Sequence, residues 1–167
     1  MSTDENVLAA FAGESQASRK YLYFSQKAEE EGLPNVAKLF KAASEAETIH
    51  AKKLLTAAGK IGSTSENLAA AIAGETHEFT TMYPGFLEGA EKEGKAAAKA
   101  VFNLANKAEE VHAGLYEKAL LAVKKGTDIS ASRFMLCPIC GNITIDTVPD
   151  RCPICNAPGS SFKEITL

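Results

Sequence analysis

Glutamate recurs inside the apolar stripes of this chain, and that restricts its folds more than any other feature. Followed at about 100° per residue, one stripe reads Val7, Phe11, Glu14, Ser18 and Tyr21. A second reads Val36, Phe40, Ala43, Glu47, His50 and Leu54, and a third reads Phe102, Ala105, Glu109, His112, Tyr116 and Leu120. A fourth carries Glu75 and Glu78 among Leu68, Ile72 and Met82. A bare carboxylate on a core-facing line is very costly, so it must be neutral, paired or bound to metal. These stripes hold no Lys or Arg to pair with. Glu29, Glu30, Glu31, Glu91 and Glu93 lie elsewhere and read as a solvated face.

The stripes fall on four predicted helices. The first spans about residues 3–31 and ends at Gly32, with Pro34 just beyond. The second spans about 34–58, with Pro34 suited to its first turn and Gly59 as its stop. STSE at 63–66 is a capping-box pattern that opens the third, which runs to about residue 93 and should kink at Pro84. The fourth follows Gly94 and runs to about residue 125, with Gly126 as its cap. Only the connection between the second and third is long, so the expected fold is mainly α, a four-helix bundle with antiparallel packing inside each pair. A weak repeat runs through it. Glu14 is followed 33 residues later by Glu47-x-x-His50, and Glu75 is followed 34 residues later by Glu109-x-x-His112. Two similar hairpins related by a pseudo-two-fold axis fit that pattern.

Residues i and i+3 on a helix share a face, about 5–6 Å apart at Cβ. A Glu and a His so placed can bind one ion, or the Glu can bridge to a second. One Glu from each of two helices and Glu-x-x-His from each of the others is the donor set of di-iron carboxylate bundles. The candidate ligands are Glu14, Glu47, His50, Glu75, Glu78, Glu109 and His112. The repeat makes Glu75 the counterpart of Glu14, so Glu78 is the surplus one. Five carboxylates roughly balance two divalent cations, and mixed carboxylate and imidazole donors suit Fe or Mn. His77 sits about 200° round from Glu75 and belongs on the outside. Tyr21, seven residues after Glu14, shares its face; Tyr83 lies about 80° round from Glu75 on a straight helix. Each tyrosine reads equally as core packing or as a hydrogen-bonding neighbour of the ligands.

The composition changes near residue 127, where Pro, Gly, Cys and β-branched residues replace Ala, Glu, Lys and Leu. The expected organisation is a helical domain over 1–126, a linker over 127–133 and a small metal module over 134–167. All four cysteines lie there, as Cys137-Pro-Ile-Cys140 and Cys152-Pro-Ile-Cys155. Two such knuckles make a tetrahedral four-thiolate site, filled by zinc or by iron. So small a module should draw much of its stability from the metal. With a net charge of −3 and no Lys/Arg cluster, nucleic acid is not an expected partner. The acidic start lacks a signal-peptide pattern, and no apolar run reaches the roughly 18 residues of a membrane span, so a cytoplasmic protein is expected. No G-x-G-x-x-G dinucleotide fingerprint appears.

FAGESQAS (11–18), EAETIHAKKL (45–54), AGETHEFTTMYPGF (73–86), AEEVHAGLYEKAL (108–120) and FMLCPICGN with CPICNAPGSSF resemble the rubrerythrin family over nearly the whole chain. The resemblance implies a ferritin-like di-iron bundle joined to a rubredoxin-like domain, and it moves the cysteine metal to iron. It implies two Fe ions on the seven ligands above and one on Cys137, Cys140, Cys152 and Cys155. The implied activity is that of a non-haem di-iron peroxidase, reducing hydrogen peroxide to water with electrons returned through the rubredoxin-like iron. It also implies Glu78 and His50 as ligands exchanged with redox state, Tyr21 and Tyr83 as hydrogen-bonding neighbours, and a homodimer or larger homo-oligomer. Without a dinucleotide site, a separate NAD(P)H-dependent reductase or a rubredoxin must deliver the electrons. A ferroxidase or iron-handling protein using O2 is the alternative. Asn156 stands where simple rubredoxins have Gly, and its tolerance of a left-handed backbone makes this a mild departure.

Overall fold

The structure, a computed structural model, describes residues 2–166. Its elements in chain order are α1 (Thr3–Glu30), α2 (Pro34–Ala57), α3 (Thr64–His77), a π-helical turn (Glu78–Met82), α4 (Tyr83–Lys92), α5 (Ala96–Lys124), β1 (Phe134–Leu136), β2 (Ile143–Ile145) and β3 (Lys163–Ile165). The described residues group into two compact units, one ending at Gly62 and the other starting at Ser63. The chain is thus mainly α, with a small sheet near its C-terminal end.

The first unit is an antiparallel helical hairpin. Ser2 opens α1 with a capping box to Glu5, and acidic Asp4 and Glu5 complement the helix dipole there. Gly32, at φ 73°, closes the helix in a left-handed conformation that a side chain would disfavour. Pro34 at the start of α2 loses no hydrogen bond, because first-turn N–H groups have no helical acceptor. Small residues let the two helices approach: Ala28, Ala37 and Ala51 are buried. Ser25 Oγ donates to the Ala37 carbonyl at 2.8 Å, and Ser44 Oγ donates to the Ser18 carbonyl at 2.7 Å. Tyr21, Phe24 and Phe40 form an aromatic group near one end of this pairing.

The second unit pairs α5 with α3 and α4 and carries the cysteine module. Ser63 and Glu66 form the expected capping box at the start of α3. Around Pro84 the backbone stays right-handed helical at His77, Glu78, Met82 and Tyr83, and the hydrogen-bond ladder changes. The Tyr83 N–H donates to the Glu78 carbonyl, five residues back. Pro84 has no N–H, and in an α-helix its ring collides with the carbonyl four residues earlier. A single wide turn relieves both problems. Among the described residues, no helix is long and apolar enough to cross a membrane.

In the module the sheet order is β2-β1-β3, and both pairings are antiparallel. Met135, Cys137, Cys152 and Phe162 form its buried core. Gly159 is required by close approach, since any Cβ there would collide with the Pro149 carbonyl.

Candidate metal centres

Three groups of metal-binding side chains converge among the described residues, and in each the donor atoms lie within 4.8 Å of one another. The first is Glu14, Glu47 and His50 on the α1–α2 hairpin. The second is Glu75, Glu109 and His112 on α3 and α5. The third is the four cysteines.

On the first hairpin, His50 Nδ1 lies 2.8 Å from Glu47 Oε2 and 4.0 Å from Glu14 Oε1. The i,i+3 spacing predicts the first contact, and the antiparallel packing of α1 on α2 supplies Glu14. On the second hairpin, His112 Nδ1 lies 2.7 Å from Glu109 Oε2, and its Nε2 lies 2.9 Å from the Gly141 carbonyl. A carbonyl can only accept, so Nε2 carries a hydrogen, and Nδ1 is the ring nitrogen that faces Glu109. A backbone carbonyl holding one ring nitrogen while the other faces carboxylates is the usual arrangement behind a metal-bound histidine.

Glu75 reports the same crowding. Burial, a hydrogen bond with Glu109 and the charge of Glu109 push its carboxyl from 4.5 to about 7, against the opposing pull of His112. Without a cation, these carboxylates are held together by a proton. Glu78 lies outside the tight triad, yet its charge also raises Glu75. Tyr83 belongs to this neighbourhood: burial first, then the charges of Glu109, Glu78 and Glu75, raise its phenol above the ordinary value. Its placement departs from the straight-helix expectation because the π turn rotates it toward the carboxylates. Tyr21 packs between Phe24 and Phe40, with both ring centroids 6.2 Å away. His77 is exposed, on the outside as its angle predicts.

The cysteine site is built from two copies of one turn. The Cys137 N–H donates to the Asn142 carbonyl and Gly141 N–H to Cys137, just as Cys152 N–H donates to Ala157 and Asn156 N–H to Cys152. Gly141 and Asn156 occupy the same place in the two turns, at φ 81° and 62°, so Asn156 performs the left-handed role. The sulfur pairs Cys137–Cys155 and Cys140–Cys152 are each 3.6 Å apart. Burial works to raise the Cys152 thiol, but N–H groups of Cys155 and Ile154 and the neighbouring thiols bring it down to about 7. Burial raises Cys140 and Cys155. A cation that binds all four as thiolates must therefore displace protons.

Sequence patterns gave no sign of the join between the module and α5. The Gly141 carbonyl that receives His112 follows Cys140 directly in the chain. Ala108, only 2% exposed, lies under Gly141, where an added Cβ would be 3.9 Å from its own. A pocket of about 200 Å³ between the two is lined by Val101, Ala105, Glu109, His112, Ile139 and Cys140, among others.

Comparison with known proteins agrees in both parts of the chain. The family described as "Rubrerythrin" matches residues 5–120, and the one described as "Rubrerythrin, rubredoxin-like domain" matches residues 136–163. The chain is 39% identical to the "Rubrerythrin" of Porphyromonas gingivalis, over 96% of its own length and 88% of that protein's. It is 35% identical to the "Rubrerythrin-2" of Clostridium acetobutylicum, covering 96% and 95%. It is 38% identical to the "Nigerythrin" of Nitratidesulfovibrio vulgaris, covering 96% and 85%. Among solved structures, "Partially Reduced State of Nigerythrin" is similar with a TM-score of 0.59 at 35% identity, covering 99% of this chain and 87% of that one.

Proposed function

Because this chain belongs to the rubrerythrin family, with a di-iron centre and a rubredoxin-like iron, we propose that it is a peroxidase that reduces hydrogen peroxide to water. The observation that carries this reading is the His112–Gly141 hydrogen bond. It joins a candidate di-iron ligand to the residue beside Cys140. An iron-handling protein has no need of a built connection to a one-electron site, whereas a peroxidase must be re-reduced after every turnover.

Glu14, Glu47, His50, Glu75, Glu78, Glu109 and His112 are the residues that would hold the iron pair, and Cys137, Cys140, Cys152 and Cys155 the single iron. The pair would supply the two electrons and the Lewis acidity that O–O cleavage requires. The chain's own groups do the rest. Five carboxylates neutralise the cations. The Gly141 carbonyl fixes the His112 ring, whereas among the described residues His50 is held through Nδ1 alone. That difference supports His50 as the imidazole that gives way when Glu78 binds. Tyr83, facing Glu75, Glu78 and Glu109, is in position to hand a proton to oxygen leaving at that face, and Tyr21 has the matching role on the other hairpin.

The domain division 1–126, 127–133 and 134–167 belongs to this reading. So does a cytosolic homodimer or larger homo-oligomer, supported by exposed apolar side chains such as Leu39, Val101 and Leu121 at 60–71%. Electrons come from an external NAD(P)H-dependent reductase or a rubredoxin. The test is to reduce the protein without air, mix it with peroxide or with O2, and follow the visible absorption of the thiolate-bound iron. Much faster reoxidation by peroxide is expected. Faster reoxidation by O2 overturns the proposal in favour of a ferroxidase, and a colourless protein removes the electron inlet.

A further inference from the structure

The cysteine module rests on α5 over a cavity. This space of about 240 Å³ is lined by Leu115, Tyr116 and Ala119 from the helix, by Ile143 and Ile145 from β2, and by Ile129 from the linker, among others. Ile143 and Ile145 are two residues apart and share one face of the strand. A face that borders a cavity makes fewer dispersion contacts than one packed against neighbours. The seat of the module on α5 is therefore set mainly at the two ends of β2, where polar groups meet.

At one end the Gly141 carbonyl accepts from His112 Nε2 at 2.9 Å. At the other stands Asp146, the residue that follows β2. Its Oδ1 accepts from the Ser132 N–H at 2.6 Å, from Ser132 Oγ at 2.6 Å and from the Arg133 N–H at 3.1 Å. These donors, the Ser132 hydroxyl first, hold the carboxyl below the usual carboxylate range. The Asp146 N–H also donates to the Arg133 carbonyl at 3.0 Å, and Arg133 Nε donates to the Asp146 carbonyl at 3.1 Å. The main-chain bond only extends the β1–β2 ladder one pair beyond Phe134 and Ile145. The side chain reaches further, out of the sheet to Ser132 in the linker.

The start of the linker is fastened as well. The Thr127 N–H and Oγ1 both donate to the Ala122 carbonyl of α5 at 3.1 Å. Asp146 thus closes a loop that runs from α5 through the linker to the far end of β2. Its φ of 63° is a left-handed conformation that Asp and Asn tolerate better than most side chains. The position accordingly restricts both the backbone and the acceptor.

We infer that Asp146 is a positioning residue for electron delivery: by fastening the linker to the far end of β2, its carboxylate holds Gly141, and with it Cys140, against His112. This rests on the reading that the thiolate-bound iron feeds the iron pair. Without the clasp the module keeps its sheet and its four cysteines but pivots about the Gly141 contact.

Two full-length variants separate side chain from backbone. Asp146→Gly keeps the left-handed conformation and removes the acceptor, whereas Asp146→Asn keeps both. In Asp146→Gly the thiolate iron should retain its natural visible absorption and midpoint potential, and the Ser132 and Arg133 amides should exchange faster. Its reoxidation by peroxide should slow about three- to tenfold, the factor that one hydrogen bond typically sets. The slowed step should also depend on solvent viscosity, because pivoting now gates it. Asp146→Asn should restore natural behaviour. A natural, viscosity-independent rate in Asp146→Gly overturns the inference. So does a shifted thiolate potential, which would make Asp146 part of the fold of the metal site itself. A second readout needs no turnover. With zinc on the cysteines and the carboxylate sites emptied, the His112 Nε2 proton should give a slowly exchanging NMR signal. Asp146→Gly should lose it and Asp146→Asn should keep it, and a signal retained in Asp146→Gly sinks the proposal. If the natural chain is reoxidised faster by O2, or its thiolate iron by neither oxidant, the peroxidase reading fails, and the His112 signal still decides the role of Asp146.

Discussion

Glu75 makes iron loading a competition between metal and proton. Its carboxyl is raised to about 7 by burial and by Glu109, so below that pH the triad already holds a proton that iron must displace. At pH 6 the protonated form exceeds the ionised one by about tenfold, and apparent ferrous affinity at this triad should fall by about tenfold for each pH unit below 7, or ~1.4 kcal/mol per unit. Above pH 8 the Glu75 contribution vanishes. The linkage has a definite sign. The metal-free folded chain binds more protons than the unfolded chain between 4.5 and about 7, so Glu75 lowers the stability of the metal-free protein as pH rises through that window. Metal removes the penalty, so the thermal shift produced by ferrous iron should be larger at pH 8 than at pH 6. The assay is anaerobic ferrous titration of protein whose carboxylate sites have been emptied and whose cysteine site is filled. Run calorimetrically at pH 6 in two buffers of different ionisation enthalpy, it counts released protons. Glu75→Gln should release about one proton fewer than the natural chain. Equal affinity at pH 6 and 8, or equal proton release from Glu75→Gln, refutes the reasoning.

Four further outcomes are expected. Ala108→Leu overpacks the seat of Gly141 at about 1–3 kcal/mol and should slow peroxide-driven reoxidation of the thiolate iron without changing iron content, as stopped-flow absorbance will show. Cys152→Ser should abolish the visible thiolate absorption and unprotect the amides of β1 while leaving helical circular dichroism nearly intact. Ser44→Ala removes the buried bond to Ser18 and should cost about 1 kcal/mol, read as a lower Tm of the metal-free protein. Glu78→Ala should impair turnover more than iron binding, and complete loss of iron would count against ligand exchange.

Much of this was legible because helix periodicity and local punctuation are properties of short stretches. Glycine stops, the capping box at 63–66 and Pro34 at the start of α2 mark helix ends to within a residue or two. The cysteine knuckles carry their ligand spacing in four letters. The i,i+3 pairs put His50 beside Glu47 and His112 beside Glu109. What escaped was either non-local or dependent on counting at a constant angle. A straight 100° step misplaces Tyr83, because one wide turn resets the count. Its trace was a one-residue difference between the hairpins, as in the 33- and 34-residue spacings. The His112–Gly141 bond joins residues 29 apart in different kinds of structure, and no periodicity encodes such a contact.

The order of strands in the module bears on how the protein is made. The central strand β1 leaves synthesis soon after α5, but its two partners follow at very different intervals. β2 arrives within a few residues, whereas β3 comes only after both knuckles. Cys137 and Cys140 therefore emerge with half a ligand set and must wait for Cys152 and Cys155, while the hairpin of α1 and α2 has long been complete. During that interval the nascent chain presents two thiols after a finished helical hairpin, and a completed chain without iron would be folded in its helices and open at its last sheet.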